Sequence, residues 1–256
     1  MPKATGLNKK YKIMNKIFTT QHKTGLYDAR ANGLVTIAAL FRILQETASE
    51  HHIYVNNDLR ELYRQGYGWV LASARIEIIK HPHAGTDLTI DTWISEIVKF
   101  RAQREYIVKD NDDNILAKAQ KKWIYFDIKT RRIARVSDEI KAKWPVVAQK
   151  VIEQDFSKPL TEIEPDREDI VCVRRSDMDM NNHVNNIKFI EWIDETLPEE
   201  FFDKEIKYFE GHFLSEAHKG DKIKVEASTD KNENIVLMDN NTTGKKCFFA
   251  KTIFNM

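Results

Sequence analysis

Between residues 37 and 48 the apolar positions Ile37, Leu40, Phe41, Leu44 and Ala48 recur at intervals of three and four, which places all of them on one stripe of an α-helix. Asn32, Gly33 and Thr36 stand just ahead of it as start signals. From Tyr67 onward the period falls to two. Leu88, Ile90, Thr92 and Ile94 alternate with Thr89, Asp91, Trp93 and Ser95, the pattern of a strand with one face buried. The spacing predicts strands over 67–79, 87–98, 101–110, 115–127 and 132–135, with turns at 82–85 and 110–114.

A charged stretch at 137–143 leads into a polar segment, 158–166, bracketed by Pro159 and Pro165, which reads as a linker. Beyond it the plan repeats: a strand over 170–174, a polar loop, a helix with Phe189, Ile190, Ile193 and Leu197 on one side, then strands over 205–213, 222–228, 235–240 and 247–254. Leu40, Phe41 and Leu44 map onto Phe189, Ile190 and Ile193 at a single offset of 149. With the same order of elements around each set, this indicates an internal duplication. The expectation is an α+β chain of two similar domains, 1–150 and 151–256, each a long helix plus an antiparallel sheet.

Composition narrows the function classes. The 256 residues are 42% hydrophobic, enough to build a core in one domain or two. No run approaches the roughly 18 apolar residues of a membrane span; the stretch 37–44 is broken by Arg42, so no membrane insertion is expected. Lys9, Lys10 and Lys12 follow the first residues without an apolar stretch, which argues against a secretory leader. Cys172 and Cys247 form neither a CxxC nor a framework of pairs; this excludes a thiolate zinc site and fits a reducing cytoplasm. The net charge of +1 hides an asymmetry: residues 1–150 carry 26 Lys and Arg against 16 Asp and Glu, and residues 151–256 carry 14 against 23. A basic half suits nucleic acid, an acidic protein partner, or an internal match to the acidic half.

The densest polar cluster runs from Arg174 to Asn186, between a predicted strand and the second helix. Asp179, Asn181 and His183 are spaced so that a turning loop presents all three on one side, ahead of a helix start at Asn185 or Asn186. Asp and Asn also form turns and caps, but capping needs only one of them and His183 is a poor choice for it. Other polar residues read as structural. His51 and His52, and likewise His81 and His83, lack the acids and third ligand of a metal site. His212 and His218 flank Glu216 without a motif. Trp69, Trp93 and Trp123 fall on strand patterns as core or pocket wall rather than as platforms for bases, and there is no Gly-rich phosphate loop. No cofactor, metal or nucleic-acid partner is expected.

The run Asp179-Met180-Asn181-Asn182-His183-Val184-Asn185-Asn186, followed by Phe189, Ile190 and Trp192, resembles the active-site motif of the acyl-acyl carrier protein (acyl-ACP) thioesterases. Asp91-Thr92-Trp93-Ile94, Arg104 to Asp110, and Thr130 to Arg135 resemble that family's N-terminal domain. The resemblance implies two tandem hotdog domains, each a long central helix wrapped by an antiparallel sheet, the first shaping the acyl pocket and the second catalytic. It implies that Asp179, Asn181 and His183 are catalytic, and carries the remaining acid onto Glu216, within Phe213-Leu214-Ser215-Glu216-Ala217, with Glu210 as the rival. Ala217 stands where the family often has Cys, and neither Cys172 nor Cys247 replaces it, so direct attack of water on the thioester is expected. The implied substrate is an acyl-phosphopantetheine on an acidic carrier protein, hydrolysed to free fatty acid. Arg101, Arg104, Lys109, Lys118, Lys121, Lys122, Arg131, Arg132 and Arg135 are the candidate docking residues. The alternatives are a hotdog acyl-CoA thioesterase and a catalytically silent acyl-binding protein. The expected assembly is a monomer or homodimer.

Overall fold

The computed structural model describes residues 16–255; the reading of residues 1–12 lies outside them. Thr36 starts the first helix by accepting the Ala39 N–H on its hydroxyl at 3.0 Å, and α1 then spans Ile37–Tyr54. The predicted stripe is the buried one: Leu40, Phe41 and Leu44 are at most 1% exposed, each burial worth about 1.5–3 kcal/mol.

The strands are β1 (Phe18–Lys23), β2 (Tyr67–Ile78), β3 (Asp87–Val98), β4 (Arg101–Lys109), β5 (Ile115–Asp127), β6 (Arg132–Ile133), β7 (Arg167–Cys172), β8 (Ile206–Phe213), β9 (Lys222–Asp230), β10 (Glu233–Asn240) and β11 (Lys245–Phe254). They form one sheet in the order β1-β3-β4-β5-β2-β8-β11-β10-β9-β7, with β6 on β5. The two halves meet edge to edge at β2 and β8, antiparallel from Ser73 opposite His212 to Glu77 opposite Tyr208. That pairing satisfies a strand edge that each half would otherwise leave open. One apolar face, including Ala74, Ile76, Ile90, Val108, Phe209, Val225 and Phe248, packs into a single core with α1 and with Phe189 and Ile190 of a shorter helix, α4 (Asn186–Glu191).

The second helix is not the long one the apolar spacing predicts. α4 has six residues; a 3-10 turn over Asp194–Thr196 and the four-residue α5 (Glu199–Phe202) follow it. Asp194 is pulled into an ion pair with Arg30 at 2.6 Å, and Leu197, preceding Pro198, takes the extended conformation a following proline favours. Phe189, Ile190 and Ile193 are nonetheless buried as predicted. Two further short helices form, α2 (Leu59–Arg64) and α3 (Asp138–Lys143). The latter lies in the charged stretch, with Ser137 accepting the Ile140 N–H, acids in its first turn and lysines in its last.

The opposite face of the sheet carries a polar row. Trp93, Glu105, Gln120, Arg75 and Glu210 stand directly across from one another on β3, β4, β5, β2 and β8. The connection between the halves runs along this row. Trp93 Nε1 donates to Gln149 O (2.8 Å), Val151 N to Glu105 Oε2 (3.1 Å), Gln120 Nε2 to Ile152 O (2.8 Å), Arg75 to the carbonyls of Gln154 and Asp155, and Ser157 N to Glu210 Oε1 (2.9 Å). These side chains are at most 2% exposed, so the strap satisfies groups whose burial without partners would cost about 1–3 kcal/mol each.

Candidate active site

The loop ahead of α4 is built on Asp179. Its Oδ1 accepts the backbone N–H of Asn181 (2.8 Å) and of His183 (3.2 Å), its Oδ2 accepts from Asn181 Nδ2 (3.2 Å), and its own N–H donates to His183 O (2.8 Å). Asn182 closes the turn at φ 59°, a left-handed conformation that Asn tolerates better than most residues. Asn185 then caps α4, accepting the Ile187 N–H at 3.1 Å, where the sequence placed the helix start. Asp179 and Asn181 thus shape the turn that presents His183.

The second component arrives from the segment after β8. Val184 N donates to Ala217 O at 2.9 Å, which clamps that segment against the loop. His183 Nε2 lies 3.5 Å from Glu216 Oε2, both side chains about one-third exposed. His218 packs edge-on against His183 with ring centroids 5.1 Å apart, its Nδ1 3.2 Å from Asn182 O and its Nε2 3.9 Å from Glu216. From the N-terminal half, Arg131 donates to Glu216 Oε2 at 2.5 Å. His183, Glu216 and His218 offer three potential metal-ligand atoms within 4.8 Å. The Arg131 guanidinium, however, puts a positive charge on the carboxylate such an ion would need.

A twin of this site lies in the N-terminal half. Residues 24–37 repeat residues 173–186 in backbone detail. Thr36 N donates to Asp28 O as Asn185 N does to Asp177 O, both at 2.8 Å, and the bridge Ala29–Val35 matches Met178–Val184. Residues 81–86 likewise repeat 216–221, with Val35 N on Pro82 O matching Val184 N on Ala217 O. Leu34 therefore occupies the place of His183, Arg30 that of Asp179 and His81 that of Glu216. The twin loop serves as a clasp: Arg30 holds Asp194 and the Phe202 carbonyl, and Asn32 Nδ2 donates to Asp203 O.

The chain is similar to known proteins. The acyl-ACP thioesterase N-terminal domain family matches residues 15–144, and the acyl-ACP thioesterase C-terminal domain family matches residues 161–256. The chain belongs to the acyl-ACP thioesterase family. A palmitoyl-acyl carrier protein thioesterase of Cuphea hookeriana is 29% identical over 201 residues, 73% of this chain and 48% of that protein. An oleoyl-acyl carrier protein thioesterase of Arabidopsis thaliana is 28% identical over 197 residues, 69% of this chain and 54% of that protein. The chain spans about half the length of these plant relatives. The crystal structure of an acyl-ACP thioesterase from Bacteroides thetaiotaomicron superposes with a TM-score of 0.85 at 26% identity, covering 96% of this chain and all of that one. The fold is the hotdog fold, α+β and antiparallel.

Against the family's motif, the site brings His183 Nε2 to 3.5 Å from Glu216, with Asp179 and Asn181 shaping the turn that carries His183. Glu210, the rival acid, belongs to the strap: it is 2% exposed and accepts from Ser157, Tyr208 and His212. Burial pushes its carboxyl up, but these three hydrogen bonds outweigh it and hold the group down at about 2. The thiols are removed from the chemistry. Cys247 is buried and its Sγ donates to Met238 O, burial pushing its thiol up to about 12, and Cys172 lies on the exposed edge strand β7.

Two of the candidate docking residues cannot dock anything. Arg104 and Lys121 are 2% and 0% exposed, inside the core under α1. Lys121 Nζ donates to Phe41 O and sits 3.6 Å from the Phe41 ring, while Arg104 donates to His51 Nδ1 at 2.9 Å. Period-2 alternation points both inward; their charge had suggested outward. Lys109 is tied to Asp91 at 2.7 Å. Arg131, Arg132 and Arg135 remain exposed, the last two lining a cleft of about 610 Å³ with Tyr67, Thr130 and Ile133.

His218 and Arg131 are the site residues whose place the sequence reading missed. A signal existed for the first: His83 and Gly85 repeat at His218 and Gly220, which marks 216–221 as half of a duplicated unit.

Proposed function

We propose that this chain hydrolyses the thioester of an acyl-acyl carrier protein, releasing free fatty acid. The carrying observation is the 3.5 Å approach of His183 Nε2 to Glu216 Oε2 in a partly exposed site beside exposed arginines. Water reaches the Glu216 oxygen that Arg131 leaves free, beside His183. Glu216 takes a proton from the water as its oxygen bonds to the thioester carbon, with His183 orienting it. The resulting tetrahedral oxyanion collapses by breaking the carbon–sulfur bond, and the proton passes to the departing sulfur. The products are a free fatty acid and the phosphopantetheine thiol. A thioester is activated enough that one positioned base supplies about 100-fold or more of the acceleration. Asp179 and Asn181 hold His183 in place for this step.

In this reading residues 151–256 supply the chemistry, while residues 1–150 shape the acyl pocket and meet the carrier through Arg132 and Arg135. Two free cysteines suit a reducing cytoplasmic setting, and among the described residues no helix is long and apolar enough to cross a membrane. The two hotdogs already pair through β2 and β8, which favours a monomer. The test is hydrolysis of matched acyl-carrier and acyl-CoA thioesters by the purified chain. Faster turnover of the carrier substrate supports the proposal. Preference for CoA would move the chain to the acyl-CoA thioesterases, and binding without turnover would make it an acyl-binding protein.

A further inference from the structure

We infer that Arg131 is a positioning residue of the hydrolytic site, lent by the N-terminal half to hold Glu216 in its working rotamer; the inference rests on the reading that Glu216 and His183 carry the chemistry. Of the groups around Glu216, only Arg131 is within hydrogen-bonding distance among the described residues, at 2.5 Å to Oε2. His183 Nε2 and His218 Nε2 stand off at 3.5 Å and 3.9 Å. The position of the carboxylate is therefore set from across the molecule, by a residue 85 positions earlier in the chain.

The turn that delivers Arg131 is built for the purpose. Asp127 Oδ1 accepts the N–H of Lys129 and of Thr130, both at 2.9 Å, and Arg131 itself takes φ 54°, a left-handed conformation unusual for a non-glycine residue. Stability does not account for this arrangement. The ion pair joins side chains that are 63% and 32% exposed, and pairs this accessible contribute little to folding. A guanidinium can hold one carboxylate oxygen while the other faces the water, and its planar fork fixes orientation in a way a simple charge does not.

The experiment is kcat and KM for acyl-carrier hydrolysis by wild type, R131M, R131K, E216Q and the double variant R131M/E216Q, with thermal melting of each. R131M is expected to lower kcat about 10-fold, with KM changed less than about twofold and an unchanged melting temperature. R131K recovers part of the loss. In the E216Q background R131M has no further effect, because the group it positions is already gone. A rise in KM at constant kcat, or an equal R131M penalty with and without Glu216, would overturn the inference and make Arg131 a docking residue. Wild-type turnover by E216Q would instead remove the underlying reading of the site.

Discussion

Ser157 donates both its backbone N–H and its hydroxyl to one oxygen of Glu210, fastening the end of the strap to the strand where the two halves of the sheet meet. This buried carboxylate is structural, so E210Q is expected to lose about 1–3 kcal/mol of stability while keeping its turnover. The loss has a pH signature. Glu210 is held at about 2 when folded, against 4.5 as the ordinary value. The unfolded chain takes up the proton first as pH falls, so this stability is fully present above about pH 4.5 and disappears on the way down to about 2. Denaturant titrations at pH 7 and pH 3 should show the gap between wild type and E210Q narrowing in acid.

Lys121 presents the opposite case. Burial pushes its ammonium well below the ordinary lysine range, helped by the nearby charge of Arg104, and no carboxylate bonds to it in the described residues. The unfolded chain holds that proton up to about pH 10.5, so between the lowered value of the folded chain and about pH 10.5 unfolding binds protons and stability rises with pH. K121M should therefore raise the melting temperature at pH 7 by several degrees and flatten the rise of stability between pH 7 and pH 10. An unaltered pH slope in K121M would show that another group carries it.

The docking proposal concentrates on Arg132 and Arg135, which line the cleft beside Arg131. Reversing both to Glu should raise KM for the acyl carrier about 10-fold or more while leaving acyl-CoA hydrolysis within about twofold. In wild type the same KM should climb with ionic strength between 50 and 500 mM salt, as screening shortens the reach of these charges. A salt-independent KM would count against an electrostatic dock.

How far these features could be read in advance depended on whether they rest on local or distant relations. β3 and β5 match prediction at both ends because strict alternation and flanking turn residues are local signals. The loop over 179–186 stood out for the same reason, since a His amid Asn and Asp before a helix is a local oddity. The second helix was misjudged because its apolar spacing continues to Leu197, while Asp194, inside that stretch, is bound by Arg30 from 164 residues away. The strap could not be seen either. Glu105, Gln120, Arg75 and Glu210 become a row only once strand register is known. Arg131 looked like one more basic surface residue until its turn was folded against Glu216.

The central claim, that hydrolysis takes place at His183 and Glu216, is tested most directly by steady-state hydrolysis of one acyl-carrier substrate by wild type, H183A, E216Q and E210Q. The two site variants should lose about 100-fold or more in kcat/KM, with melting temperatures near wild type because both side chains are partly exposed. E210Q should remain within about threefold of wild type. Near-wild-type rates in H183A and E216Q, or a collapse of activity in a folded E210Q, would contradict the account.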